Sequence, residues 1–205
     1  MAARNGELVI AALYVDPNGV YADLPDVDLW DEARDARLYA GPWPVVAHPP
    51  CKSWSIMGQC RPEIIRGQDG GCFKAALDAV RHYGGVLEHP AHSHAWARYS
   101  LPRPPYEGWA RSLTDPGWVC EVDQFRYGHR ANKRTWLYYI GAEPPPMLAW
   151  GRGGRSKITV RNDGGGGRDQ RSRTPAAFRD LLIELARMSG APLPRWKRGS
   201  WKVSG

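Results

Sequence analysis

A cysteine stands where a short apolar run stops. Pro44-Val45-Val46-Ala47 is too short for a helix, and its β-branched valines mark a buried strand. The run drives into His48-Pro49-Pro50-Cys51, where Pro50 fixes its own φ and holds Pro49 extended, so the chain leaves the strand stiffly. A thiol on such a turn is placed to attack an electron-poor carbon, and with Lys52 adjacent its pKa is expected to fall. A carboxyl group supplies the second component. Glu88 ends the apolar run Val86-Leu87 and precedes His89-Pro90, and burial there predicts a raised pKa that would let it donate a proton or a hydrogen bond. A third group is basic: Gln124-Phe125-Arg126-Tyr127-Gly128-His129-Arg130-Ala131-Asn132-Lys133-Arg134-Thr135 gathers donors that suit an anionic or carbonyl-rich ligand.

The elements that must hold these residues follow from periodicity. Phe73, Ala76, Leu77 and Val80 form one apolar stripe of a helix over 72–83, closed by Gly84-Gly85 before the Glu88 strand. Strand, helix, strand predicts a right-handed unit of parallel strands, whose carboxyl ends would bring Cys51 and Glu88 side by side. Upstream, 7–14 reads as a strand, and Asp16-Pro17-Asn18-Gly19 before Val20-Tyr21 reads as a hairpin or strand-turn-strand start. Residues 28–39 read as a short charged helix with Trp30, Ala33 and Leu38 facing inward, and 98–116 as loop. Two further strands are expected at 118–125 and 135–140, and an amphipathic helix from Pro175 to about Met188.

The composition, 42% hydrophobic over 205 residues, fits one α/β domain over 1–190. Within it, 151–173 is a glycine- and arginine-rich segment expected to be flexible, and 191–205 is a basic tail. The expected fold is a small Rossmann-like domain with a mostly parallel sheet. Net charge +7 favours a polyanionic partner, nucleic acid first. No apolar run reaches the length of a membrane span and the N-terminus has no secretory core, so a soluble, cytoplasmic monomer without a membrane partner is expected. Cys51, Cys60, Cys72 and Cys120 show no CxxC spacing, which favours reduced thiols. A zinc site built from Cys51, Cys60, Cys72, His48, His89, His92 and His94 matches no common spacing, so no metal is expected.

In order along the chain, these groups resemble the core motifs of DNA (cytosine-5)-methyltransferases, particularly the compact forms of bacteriophages and prophages. Pro50-Cys51 resembles the family's Pro-Cys nucleophile, and Glu88-His89-Pro90 its Glu-Asn-Val/Pro motif with His89 in place of Asn. Tyr127-Gly128 through Lys133, Arg134 and Thr135 is similar to its Tyr-Gly…Arg/Lys segment, and Arg171 to Pro175 to its late Arg/Thr-Pro element. The resemblance implies a methyltransferase-like fold, DNA as partner and transfer of a methyl group to C5 of a flipped cytosine. Cys51 would attack C6, Glu88 would bind N3 and the exocyclic amine, and Arg134 or Lys133 would hold O2 or a phosphate. Lys52, Ser53, Trp54, Gln124, Tyr127, His129, Arg130, Arg171 and Arg173 would contact DNA or the base, with Ser55 on the same loop as Trp54. It also implies S-adenosylmethionine as cofactor, although the family's glycine-rich loop after the first strand has no counterpart before Cys51. The same cysteine and glutamate could serve a different group or cofactor, and a non-catalytic DNA-binding module of the same fold is the remaining alternative.

Overall fold

The computed structural model describes residues 8–55, 63–111, 114–141, 144–154 and 173–189. Seven strands form one sheet: β1 (Ile10–Leu13), β2 (Val27–Trp30), β3 (Val45–Ala47), β4 (Gly85–Pro90), β5 (Ala110–Arg111), β6 (Trp118–Asp123) and β7 (Arg134–Ile140). Their order is β2-β1-β3-β4-β7-β6-β5. The pairings β1–β2, β1–β3 and β3–β4 are parallel, whereas β4–β7, β6–β7 and β5–β6 are antiparallel. The expected α/β class holds, but the sheet is mixed rather than mostly parallel. Its second half returns through the turn between β6 and β7, which antiparallel strands can make without a crossover helix.

Helix α1 (Cys72–Tyr83) joins β3 to β4 and buries Phe73, Ala76, Leu77, Ala79 and Val80 against one face. A short α2 (His94–Arg98) adds Trp96 to that face. On the opposite face lies α3 (Ala176–Met188), which buries Phe178, Leu182, Ile183, Leu185 and Ala186 against Ile10, Val46, Val86 and Leu137. The sheet is therefore covered on both sides, which accounts for continuously apolar strands such as Ile10-Ala11-Ala12-Leu13. Each fully buried Leu or Phe in these layers contributes about 1.5–3 kcal/mol.

Two expectations for the N-terminal third are corrected. No hairpin follows β1: Asp16 to Gly19 does form a tight turn, but the chain continues through further turns to β2, which runs parallel to β1. The charged helix over 28–39 is absent. Val27–Trp30 is an edge strand, Leu38 is 69% exposed, and only Ala36–Leu38 make a single 3-10 turn. Asp35 starts that turn in the left-handed region and accepts from the Arg37 amide, a local bond that competes with a longer helix. The segment 98–116 also carries the short strand β5.

Gly84 and Gly85 both have positive φ, 78° and 111°, and turn the chain from α1 into β4. At Gly85 the backbones of β3 and β4 approach so closely that a Cβ would lie 2.0 Å from the Val45 carbonyl oxygen. Gly85→Ala is expected to destabilise the fold by at least about 3 kcal/mol, through strain and forced strand separation. Urea unfolding of the two proteins checks this; a loss under about 1 kcal/mol would contradict the close approach.

Candidate active site

The register of β3 on β4 pairs Val46 with Val86 and Ala47 with Leu87. Because side chains alternate along a strand, His48 follows Val46 onto the α3 face and Glu88 follows Val86 onto the same face, at the same level. Their side chains meet: His48 Nδ1 lies 2.9 Å from Glu88 Oε2, and His48 Nε2 lies 2.9 Å from the hydroxyl of Tyr21. Gln124 closes the far side, its amide nitrogen 2.9 Å from Thr135 Oγ1 and 3.4 Å from Glu88 Oε1. Glu88, Gln124 and Thr135 are all buried.

Cys51 follows on the turn after β3. Its carbonyl accepts from the amides of Trp54 and Ser55, at 3.0 and 2.9 Å, so the loop folds back over the strand end. The loop is tied down by Trp54, whose indole donates to Asp69 Oδ2 at 2.7 Å; the same oxygen accepts from the Phe73 amide and caps α1. The nucleophile candidate and the helix behind it are therefore braced by one carboxylate.

The electrostatics correct both expected shifts. Burial pushes the Cys51 thiol up and the neighbouring Glu88 charge adds to this; Lys133 opposes them without reversing the result. For Glu88, burial also pushes upward, but the hydrogen bond and attraction of His48, backed by Lys133 and His89, outweigh it and bring the carboxyl to about 2. Glu88 is thus an anion that accepts, not an acid that donates. An ionised carboxylate has no hydrogen to give, so His48 donates from Nδ1. Tyr21 keeps its proton, because burial foremost drives its pKa upward.

Of the residues expected here, Cys51, Glu88, Gln124 and Lys133 converge. Arg134 does not. It lies on the other face of the sheet, where its guanidinium makes a paired contact with Glu121 at 2.7 and 2.9 Å and covers the Tyr106 ring. Lys133 lies near enough to both Cys51 and Glu88 for its charge to act on each. Its ammonium also donates to the Arg173 carbonyl at 3.3 Å.

Several expected contact residues are structural instead. Trp54 is 4% exposed and packs against Phe73 and Tyr99. Ser53 is buried. The buried His129 uses Nδ1 to accept from the Ala131 amide at 3.0 Å. Tyr127 packs on Phe178 and its oxygen accepts from the Ala149 amide. Lys52, Arg130 and Arg173 are exposed, as a phosphate contact requires, and Arg171 lies outside the described residues.

Two residues outside the expected catalytic and DNA-contact set, His48 and Tyr21, complete the site. His48 was legible in principle: two positions beyond Val46, it must face the same way as Glu88 once β3 and β4 are parallel. Tyr21 carried no such signal, since the turns between β1 and β2 have no period. Among the described residues no group of three or more His, Cys, Asp or Glu could hold a metal ion. Cys51, Cys72 and Cys120 are free thiols, and His94 opens α2. No described helix is long and apolar enough to cross a membrane. Neither protein-family models nor curated protein sequences give a match to this chain.

His89 points away from Glu88 into the aromatic layer, 5.1 Å from Phe73 and stacked at 6.3 Å on Trp96. The ring is buried, and burial foremost lowers its pKa to about 4, with the Glu88 charge and the Pro50 and Pro49 backbone opposing this without reversing it. Between the ordinary value near 6.5 and that value the unfolded chain binds a proton that the folded chain refuses, so stability falls as pH falls through this window. The expected loss is roughly 3 kcal/mol, at about 1.4 kcal/mol per pH unit. His89→Asn should flatten the pH dependence between about 6.5 and 4.5, leaving the Glu88 contribution below it. Urea unfolding at both limits measures this; an unchanged slope in the variant would contradict it.

Proposed function

We propose that this protein is a DNA cytosine C5-modifying enzyme that works through a covalent Cys51 adduct on a flipped base. The observation that carries the reading is the placement of Cys51, on the turn after β3, beside Glu88 of the adjacent parallel strand β4, close enough for the Glu88 charge to act on the thiol. This is the order and setting in which the resembled family uses its nucleophile and its glutamate.

The chemistry follows from what the residues can hold. A cytosine must leave the helix stack before C6 is accessible. The Glu88 carboxylate accepts a hydrogen bond from the exocyclic amine and stabilises a proton taken from solvent at N3, making the ring electron-poor at C6. Cys51 releases its thiol proton to solvent and Sγ bonds to C6, moving the C5=C6 pair onto C5. C5, now carrying the pair, can take a proton from water and give its original one back to solvent; the Sγ–C6 bond then breaks, the thiolate recovers a proton, and the N3 proton returns to solvent as the aromatic ring is restored. The ammonium of Lys133 balances the anionic thiolate and carboxylate. Exposed Lys52, Arg130 and Arg173 supply phosphate contacts.

The donor of the transferred group is a separate matter. S-adenosylmethionine, which the resemblance implies, does not fit the described residues after β1. Tyr14 stands there in the left-handed region at φ 60°, followed by Asp16-Pro17-Asn18-Gly19 in place of a glycine cradle. A Cβ on Gly19 would already meet the Asp16 carbonyl at 3.0 Å, and Tyr21, 3% exposed, places its phenol on His48. The chemistry assigned to these residues therefore ends at an activated C5.

Incubation with short duplexes containing 5-fluorocytosine, with and without S-adenosylmethionine as the electrophile, read by intact mass, tests the proposal, since fluorine at C5 cannot leave as the proton does. The expected result is a protein–DNA adduct that Cys51→Ser abolishes and Glu88→Gln slows by about 10²-fold or more, while salt-sensitive DNA binding survives in both. Salt-sensitive binding with no adduct across a panel of sequences would indicate a binding module and overturn the enzymatic reading.

A further inference from the structure

The chain Tyr21–His48–Glu88 is not required by the nucleophile or by the phosphate contacts, yet it occupies the centre of the site. We propose that His48 is a positioning residue for Glu88, held in its Nδ1–H tautomer by Tyr21, so that Oε2 is engaged and Oε1 is presented to the base. The inference rests on the cytosine reading for the identity of the base, but the tautomer and the orientation rest on geometry alone.

Each link constrains the next. Glu88 is fixed at one oxygen by the 2.9 Å bond from His48, whereas its other oxygen is approached at 3.4 Å by the Gln124 amide. A carboxylate fixed at one oxygen can turn only about that bond, so the free oxygen is aimed. Neutral His48 can donate from Nδ1 only if Nε2 is bare, and a bare Nε2 needs a donor. Tyr21 supplies one at 2.9 Å, with its ring tilted against the imidazole at 5.6 Å. Were the proton on Nε2 instead, the Nδ1 lone pair would face the Glu88 carboxylate and the bond would become a repulsion. Tyr21 is in turn fixed by the segment before it, since Arg179 of α3 donates to the Val20 carbonyl at 2.6 Å. The device thus ties the covering helix to the orientation of one carboxylate oxygen.

Two measurements test this. The first uses the folded protein without DNA: ¹⁵N NMR of the histidine rings near pH 8 should show His48 with Nδ1 protonated and Nε2 bare, and Tyr21→Phe should populate the other tautomer. Any other pattern in the wild type, or no change in Tyr21→Phe, overturns the proposal whether or not the protein proves to act on cytosine. The second measures the rate of trapping on 5-fluorocytosine DNA at one pH. Asparagine places an amide donor near the position of Nδ1. His48→Asn should therefore keep the rate within about tenfold of wild type. His48→Phe should lose about 10²-fold with DNA affinity unchanged. Equal losses in the two variants would overturn the positioning role. Absence of any adduct in the wild type would instead sink the cytosine reading, with the NMR result still deciding the state of His48.

Discussion

The register between β3 and β4 is the constraint on which the site depends. Val46 against Val86 sets His48 level with Glu88 and brings the turn carrying Cys51 over the same edge. That register is held by Gly85, where the backbones come too close for any side chain, and by the layers that α1 and α3 press on opposite faces. A slip of one residue would put His48 and Glu88 on opposite faces of the sheet. The covalent chemistry proposed here therefore begins as a packing problem, solved by a glycine and two buried valines.

Burial and charge work against each other around Glu88. An ionised carboxylate in so dry a setting carries a large desolvation cost, and it persists only because His48 and Lys133 compensate it. The same burial keeps the Cys51 proton in place, and the Glu88 charge strengthens that hold. The resting site thus contains a protected thiol beside a committed anion. A base carrying a proton at N3 would meet the anion and relieve its effect on the thiol, so that binding and activation of the nucleophile are linked. The second half of the sheet serves this balance: the turn before β7 delivers Lys133, while Arg134, one residue on, is turned to Glu121 on the other face.

Much of this was legible before the structure. The Val45–Ala47 and Val86–Glu88 runs, the stripe of α1, the glycines between them and the long β6 and β7 strands follow from local pattern, because two-sided burial writes itself as apolar runs. What was not legible depends on distant partners. Val27–Trp30 is a strand because β1 offers it an edge, and nothing in its own sequence says so. Whether Lys133 or Arg134 reaches the site turns on one step of strand alternation, which spacing alone leaves open. The direction of the Glu88 shift could not be read from burial without knowing that His48 lies opposite. Trp54, which as a loop residue suggested DNA contact, belongs to the core because Asp69 reaches across from the helix cap to hold its indole.

If Cys51 adds to C6 and Glu88 supports the protonated ring, the first consequence at the base is that C5 becomes able to exchange its hydrogen with water. Release of tritium to solvent from DNA labelled at C5 of cytosine follows that event without any assumption about the donor of a transferred group. The account predicts release that depends on time and enzyme, is absent in Cys51→Ser, and is strongly reduced in Glu88→Gln. Retention of all label by DNA that the wild-type protein demonstrably binds would contradict the assignment of Cys51 and Glu88 to pyrimidine C5 chemistry.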